Sequence, residues 1–207
     1  MNKIKNQSEL IKKKFDNLFT RKDIILNKSS DFDLMPEIKR QVRDLVPAAV
    51  LIPILINKGR PKVILTKRAK NLNLHPGQIS FPGGKKERSD ASELATALRE
   101  THEEIGLKPS EIDIIGILPK HETVTGFLIN PFVGLVESLA SLSANPKEVE
   151  EIFEVPLDFL VDRNHMLVQS RIYKAKERLY YTIPYGPYYI WGATAMIIKT
   201  FADRVRE

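Results

Sequence analysis

The sequence predicts an α/β fold, a three-layer α/β/α sandwich built on a mixed sheet. Three observations predict it. Short β-branched runs alternate with segments of helical period, the helical segments carry apolar faces able to cover a sheet, and 207 residues suit one domain with a sizeable core.

The elements follow in chain order. Residues 1–45 are expected to form a charged, helix-prone arm, because Leu10, Ile11, Lys14, Phe15, Leu18 and Phe19 recur at helical spacing. Residues 46–207 form the main domain. Val46 to Ile56 is apolar and β-branched and reads as a buried strand, and Lys62 to Lys67 as the next, joined by a Lys58-Gly59-Arg60-Pro61 turn into a hairpin. Leu74-His75-Pro76-Gly77 is turn chemistry, and Gln78 to Phe81 a short strand entering a glycine loop at Gly83-Gly84.

A helix comes next. Asp90 is its expected cap, with Glu93 in a capping-box position, and Gly106 its stop, with Leu107 packing back. At about 100° per residue, Ala91, Leu94, Leu98 and Ile105 share one side and Glu100, Glu103 and Glu104 the other.

Ile112 to Leu118 and Ile129 to Val136 read as strands, joined by a polar connection from Pro119 to Phe127 long enough to reach a ligand. Pro146 is expected to open a short acidic helix, Lys147 to Phe153. Arg171 to Tyr173, Leu179 to Ile183 and Tyr188 to Trp191 are aromatic-rich strands, and Thr194 to Arg204 a closing helix.

Composition narrows the function. The net charge of +6 comes from Lys and Arg scattered along the chain, with no aromatic-rich single-strand platform and no nucleic-acid recognition motif. A modest positive field also suits a multiply phosphorylated small molecule. No run approaches the roughly 18 apolar residues that span a bilayer, and no signal-peptide core is present, so a cytoplasmic protein is expected. The absence of Cys removes thiolate chemistry and Cys-ligated zinc.

The acids of the helix carry the chemistry. At roughly 6 Å and an effective dielectric near 20, each like-charged pair costs about 3 kcal/mol, and a divalent cation reverses that sign. Hard cations such as Mg²⁺ take oxygen ligands and share their sites with substrate phosphates. A solvated acidic face is the plain alternative. The neighbouring Gly83-Gly84, which lets a ligand approach the backbone, and Arg99, which can hold an adjacent carboxylate, favour a site.

Arg99, Glu100, Glu103, Glu104, Gly106 and Leu107 together resemble the end of the Nudix box. Its beginning differs, with Asp90 where the usual box has Glu and one more residue before the Arg. That longer spacing is similar to the coenzyme A pyrophosphatase branch, as are Ile64-Leu65-Thr66-Lys67-Arg68-Ala69, Gly77, Phe81-Pro82-Gly83-Gly84 and Trp191-Gly192-Ala193-Thr194-Ala195. The branch has an Arg where this chain has Asn73.

The resemblance implies the Nudix fold and metal-dependent hydrolysis of coenzyme A or acyl-coenzyme A to 3′,5′-ADP and (acyl-)4′-phosphopantetheine. Glu100, Glu103 and Glu104, with the Gly84 carbonyl, are the expected ligands of Mg²⁺ or Mn²⁺. Glu104 or Glu148 is the general base, and Arg99 orients the acids. Arg68, Lys67, His75, Phe81 and Glu122 are the expected substrate contacts, and a homodimer is expected. ADP-ribose or another nucleoside diphosphate derivative is the alternative substrate, and a non-catalytic nucleotide-binding module the alternative class.

Overall fold

Val46 to Leu55 forms β2, the strand around which the sheet is laid. In a computed structural model, residues 28–36, 44–56, 60–72, 74–173 and 176–206 are described; the helix expected around residues 10–19, and Asn73, lie outside them. β2 runs parallel to β8 (Phe127–Val136) along its whole length, from Val46 opposite Phe127 to Leu55 opposite Val136.

The continuous apolar run of β2 is explained by cover on both faces. Ala49 and Leu51 face helix α1 (Glu93–Ile105) together with Ala97 and Phe132. Ile52 and Ile54 face the other way, into the core containing Ile197, Ile198 and Phe201 of the closing helix α3 (Ala193–Arg206). Alternate residues of one strand thus serve two helical layers, the three-layer α/β/α arrangement expected.

The mixed sheet has nine strands among the described residues. Its path is β1 (Ser29–Ser30), β7 (His121–Glu122), β8, β2, β3 (Lys62–Arg68) and β4 (Ile79–Ser80). β5 (Gly83–Lys85) pairs with β2, β6 (Ile112–Ile117) with β8, and β9 (Val149–Pro156) with β3. A second, three-stranded antiparallel sheet joins β10 (Leu167–Tyr173), β11 (Lys176–Tyr185) and β12 (Tyr188–Trp191). Helix α2 (Leu157–Val161) links β9 toward it.

Three local expectations are corrected. Within residues 1–45, residues 28–36 are strand and turn rather than helix, and β1 pairs in parallel with β7, burying Phe32 and Met35. β2 and β3 form the expected hairpin, antiparallel at Ile54–Val63 and Leu55–Lys62, while Ala48 to Val50 pair with β5; Lys58 and Gly59 of its expected turn lie outside the described residues. Pro53, which has no N–H to give, falls between these two pairings. Gly83-Gly84 is accordingly strand rather than loop.

The third is the acidic helix expected over Lys147 to Phe153, which is strand β9 from Val149 on. Val149, Phe153 and Val155 are buried, an alternation that serves a strand, and Lys62 to Arg68 supplies the antiparallel partner. Tertiary pairing overrides the helix-opening proline.

Candidate active site

Helix α1 brings the acids to one place, and its ends fix their height on the sheet. Its N-cap is Ser92, whose Oγ accepts the Ala95 N–H at 3.1 Å; Asp90, expected there, is taken by Arg99 instead. Its stop is Gly106 as expected, with φ of 73° and its N–H donating to the His102 carbonyl at 2.9 Å.

The buried side of α1 is Thr96, Ala97, Thr101, Glu104 and Ile105. Ala91, expected on the packed face, is exposed, whereas Glu104 turns in toward the sheet. Small residues let α1 lie close to β2 and β5, and this closeness puts Glu104 against Gly83.

Glu104 is 3% exposed, and its Oε2 accepts the Gly83 N–H at 3.1 Å. Its Oε1 lies 3.8 Å from Arg68 Nη1. Burial dominates over both contacts and pushes its pKa up to about 8. Glu100, one turn earlier, lies beside Gly84, and burial raises its carboxyl too, against the pull of Arg99.

The third acid comes from far along the chain. The carbonyls of Glu104 and Ile105, which have no partner within the helix, accept the N–H groups of Asn145 and Ser143 at 2.9 Å each. That docks the segment leading to Glu148, whose own carbonyl accepts the Ala69 N–H at 2.8 Å. One carboxylate oxygen from each of Glu100, Glu104 and Glu148 then lies within 4.8 Å of the others.

Glu103 stays outside this cluster, with its side chain 49% exposed and bound to Arg99. Arg99 holds three acids at once. Its Nη1 donates to Glu100 and to Glu103, each at 3.0 Å, while Nε and Nη2 grip the two oxygens of Asp90 at 2.9 Å. This fork holds the Asp90 carboxyl well below the usual range, helped by the Glu87 N–H.

A cavity of about 440 Å³ opens beside the acids and includes Arg68, Gly83 and Gly84. His75 and Phe81 line it as well. His75 has φ of 56°, unusual for a residue with a side chain, and burial and then the Arg68 charge lower its pKa. Lys67 is not at the cavity; it pairs with Glu150 at 2.9 Å. Glu122 is not among the lining residues either, although Thr123, Val124 and Thr125 just after it are.

Sequence reasoning did not pick out Asp31, Arg171 and Arg178, which also line the cavity, or the Asp90–Arg99 pair. Asp31 and the two arginines come from separate parts of the chain and share no motif. Asp90 could have been suspected from having Ser92, an equally good cap, two residues on.

The donor set suits a hard divalent cation: clustered carboxylate oxygens, one of them buried, with a single arginine at 3.8 Å for neutralisation of Glu104. Gly84 fits the same purpose, because a Cβ there would lie 2.5 Å from the Glu100 carboxylate.

A family model described as the NUDIX domain matches residues 45–178. Among curated proteins, the "Uncharacterized Nudix hydrolase NudL" of Enterobacter sp. (strain 638) is 41% identical over 175 residues, covering 83% of this chain and 89% of that protein. The protein of the same name from Pectobacterium atrosepticum is 37% identical, covering 84% and 90%, and that from Escherichia coli (strain K12) 38%, covering 83% and 89%. With a Nudix domain matched over most of the chain and relatives aligned along most of their own length, the chain belongs to the Nudix hydrolase family.

Proposed function

We propose that this protein hydrolyses the pyrophosphate bond of coenzyme A or acyl-coenzyme A, using Mg²⁺ or Mn²⁺, to 3′,5′-ADP and (acyl-)4′-phosphopantetheine. The observation that carries the reaction class is the meeting of Glu100, Glu104 and Glu148 within 4.8 Å at the edge of a cavity. Substrate choice is supported by the motif running from Ile64 through Gly84, and by the apolar walls at Leu34, Met35, Phe127, Met196 and Ile197, which suit an acyl chain.

Glu100, Glu104 and Glu148 would hold the cation with the Gly84 carbonyl, and Glu103 is a further donor once it leaves Arg99. The bound cation supplies neutralisation of phosphate oxygens and acidification of water. Glu104 or Glu148, whichever is less engaged, accepts the proton of the attacking water. The water oxygen bonds to one phosphorus as that phosphorus loses its bond to the bridging oxygen, which leaves on the other phosphate. Arg68 pairs with a phosphate oxygen, Arg99 keeps Glu100 in place, and His75 and Phe81 shape the wall.

The departure at Asn73 favours a second reading, another nucleoside diphosphate derivative such as ADP-ribose. Cytoplasmic location and a homodimer belong to the proposal; among the described residues no helix is long and apolar enough to cross a membrane.

Mass-spectrometric product analysis with coenzyme A, in Mg²⁺ or Mn²⁺ and in EDTA, tests it. Metal-dependent 3′,5′-ADP and 4′-phosphopantetheine are expected. Cleavage of ADP-ribose alone favours the second reading, and no cleavage of either substrate favours a binding module.

A further inference from the structure

The cavity is charged unevenly. Arg68, Lys85, Arg171 and Arg178 line it, against Asp31 as the acid among the described lining residues. Asp31 is committed elsewhere: Oδ1 lies 3.0 Å from His121 Nε2, and Oδ2 accepts the Val124 N–H at 2.8 Å.

Arg171 and Arg178 stand directly opposite each other on β10 and β11, an arrangement in which like charges destabilise a strand pair. Arg171 lies over the Trp191 ring at 4.4 Å, so its guanidinium is held against a flat surface. Arg178 rests 5.4 Å from the Phe32 ring centre, and its buried Nε and Nη1 have no hydrogen-bond partner among the described residues. Buried donors are rarely left so without a reason, and an absent anion is one. His75, on which the charges of Arg68 and Arg171 both act, lines the same cavity.

We infer that Arg171 and Arg178 form a second anion subsite, which takes a phosphate monoester of the substrate set apart from the pyrophosphate. The inference deepens the hydrolase reading and rests on it for the pyrophosphate end. It gives the substrate a class: a nucleoside diphosphate derivative with an additional phosphate on the nucleoside. Coenzyme A has that group; ADP-ribose and 3′-dephospho-coenzyme A do not. The planar fork of each arginine suits a phosphate dianion, and two forks side by side repel less once it is bound.

Isothermal titration of the full chain in EDTA with 3′,5′-ADP and with 5′-AMP tests this without turnover. The wild type is expected to bind 3′,5′-ADP at least about tenfold more tightly, the scale of a charge-assisted contact. Arg178→Gln is expected to abolish that preference while leaving 5′-AMP affinity within about twofold, and Arg171→Gln to reduce it. A thermal melt without ligand separates this from a structural role. Arg178→Gln should melt no lower than wild type, because it relieves the like-charge pair, whereas an arginine kept for packing would lower the midpoint.

Equal affinities in the wild type, no binding of 3′,5′-ADP, or a preference that survives both substitutions would each overturn the subsite. If the preference holds while coenzyme A is not cleaved in Mg²⁺ or Mn²⁺, the subsite stands and the hydrolase reading fails. If coenzyme A and its 3′-dephospho form are cleaved with equal kcat/KM and both nucleotides bind alike, the reverse is true.

Discussion

Gly84 and Glu100 touch across the gap between β5 and α1, with no room for a methyl group: a Cβ on Gly84 would lie 2.5 Å from the Glu100 carboxylate carbon. Gly84 has no left-handed φ, so its backbone tolerates alanine and the conflict falls on the acid. Gly84→Ala should therefore fold while pushing Glu100 out of the cluster. Metal-dependent turnover is expected to fall about 100-fold, as for a catalytic group displaced by roughly 1 Å. Unchanged kcat/KM, with Mn²⁺ binding undiminished by electron paramagnetic resonance, would rule out this role.

Arg99 and Asp90 form the bracket that holds the acidic helix. Because Asp90 titrates below its ordinary range, its contribution to stability is present above the unfolded carboxylate value of about 3.9 and is lost as pH falls toward the folded one. Asp90→Asn lacks this titration. The melting-temperature gap between wild type and Asp90→Asn should be widest near neutrality and narrow below about pH 4. A gap independent of pH between 2 and 6, on the order of the whole titration range, would contradict the pairing.

Glu104 titrates in the opposite direction. Its folded pKa of about 8 lies above the unfolded value, so without metal its contribution is full below about pH 4.3 and is lost as pH rises through 8. Glu104→Gln carries no charge to desolvate and has a carbonyl for the Gly83 N–H. In EDTA at pH 8 it should be more stable than wild type, by on the order of 2–4 kcal/mol, and about equal at pH 4. Mg²⁺ or Mn²⁺ should raise only the wild type, and turnover should vanish in the variant. Denaturant melts at the two pH values check the first claim; a destabilised variant at pH 8 would refute it.

These relationships differ in how far they were legible in the chain. The run Val46 to Ile56 shows a buried strand, and Glu100, Glu103 and Glu104 stand out on one side of a helix, although Glu103 turns to Arg99 and not into the cluster. Gly106 marked the helix stop, since a left-handed residue is needed there. Glu148 is legible as an acid of interest, but Pro146 and three glutamates suggest a helix around it, and only pairing with Lys62 to Arg68 makes the segment a strand. Asp90 goes to Arg99, nine residues on, and leaves the cap to Ser92, two equally good capping residues being indistinguishable in the sequence. Arg171 and Arg178 became a pair only through the register of β10 on β11. Strand and helix period is local information; ion pairs between distant segments are not.

Adjacent basic residues on β3 provide the last test, because the register against β9 breaks between them, with Lys67 opposite Glu151 and Arg68 opposite Val149, and such a bulge re-aims a side chain. Arg68 lies in the cavity near Glu104, whereas Lys67 pairs with Glu150 away from it. Lys67→Ala removes a surface ion pair and should leave kcat/KM within about threefold. Arg68→Ala removes the cation nearest the buried acid and the proposed phosphate partner, and should lower kcat/KM by about 10- to 100-fold, the range for a charge-assisted contact. Steady-state kinetics on coenzyme A with both variants decides between the faces. Equal losses would mean that β3 does not present its two basic residues to separate environments, and a larger loss for Lys67→Ala would assign the phosphate contact to the other side of the strand.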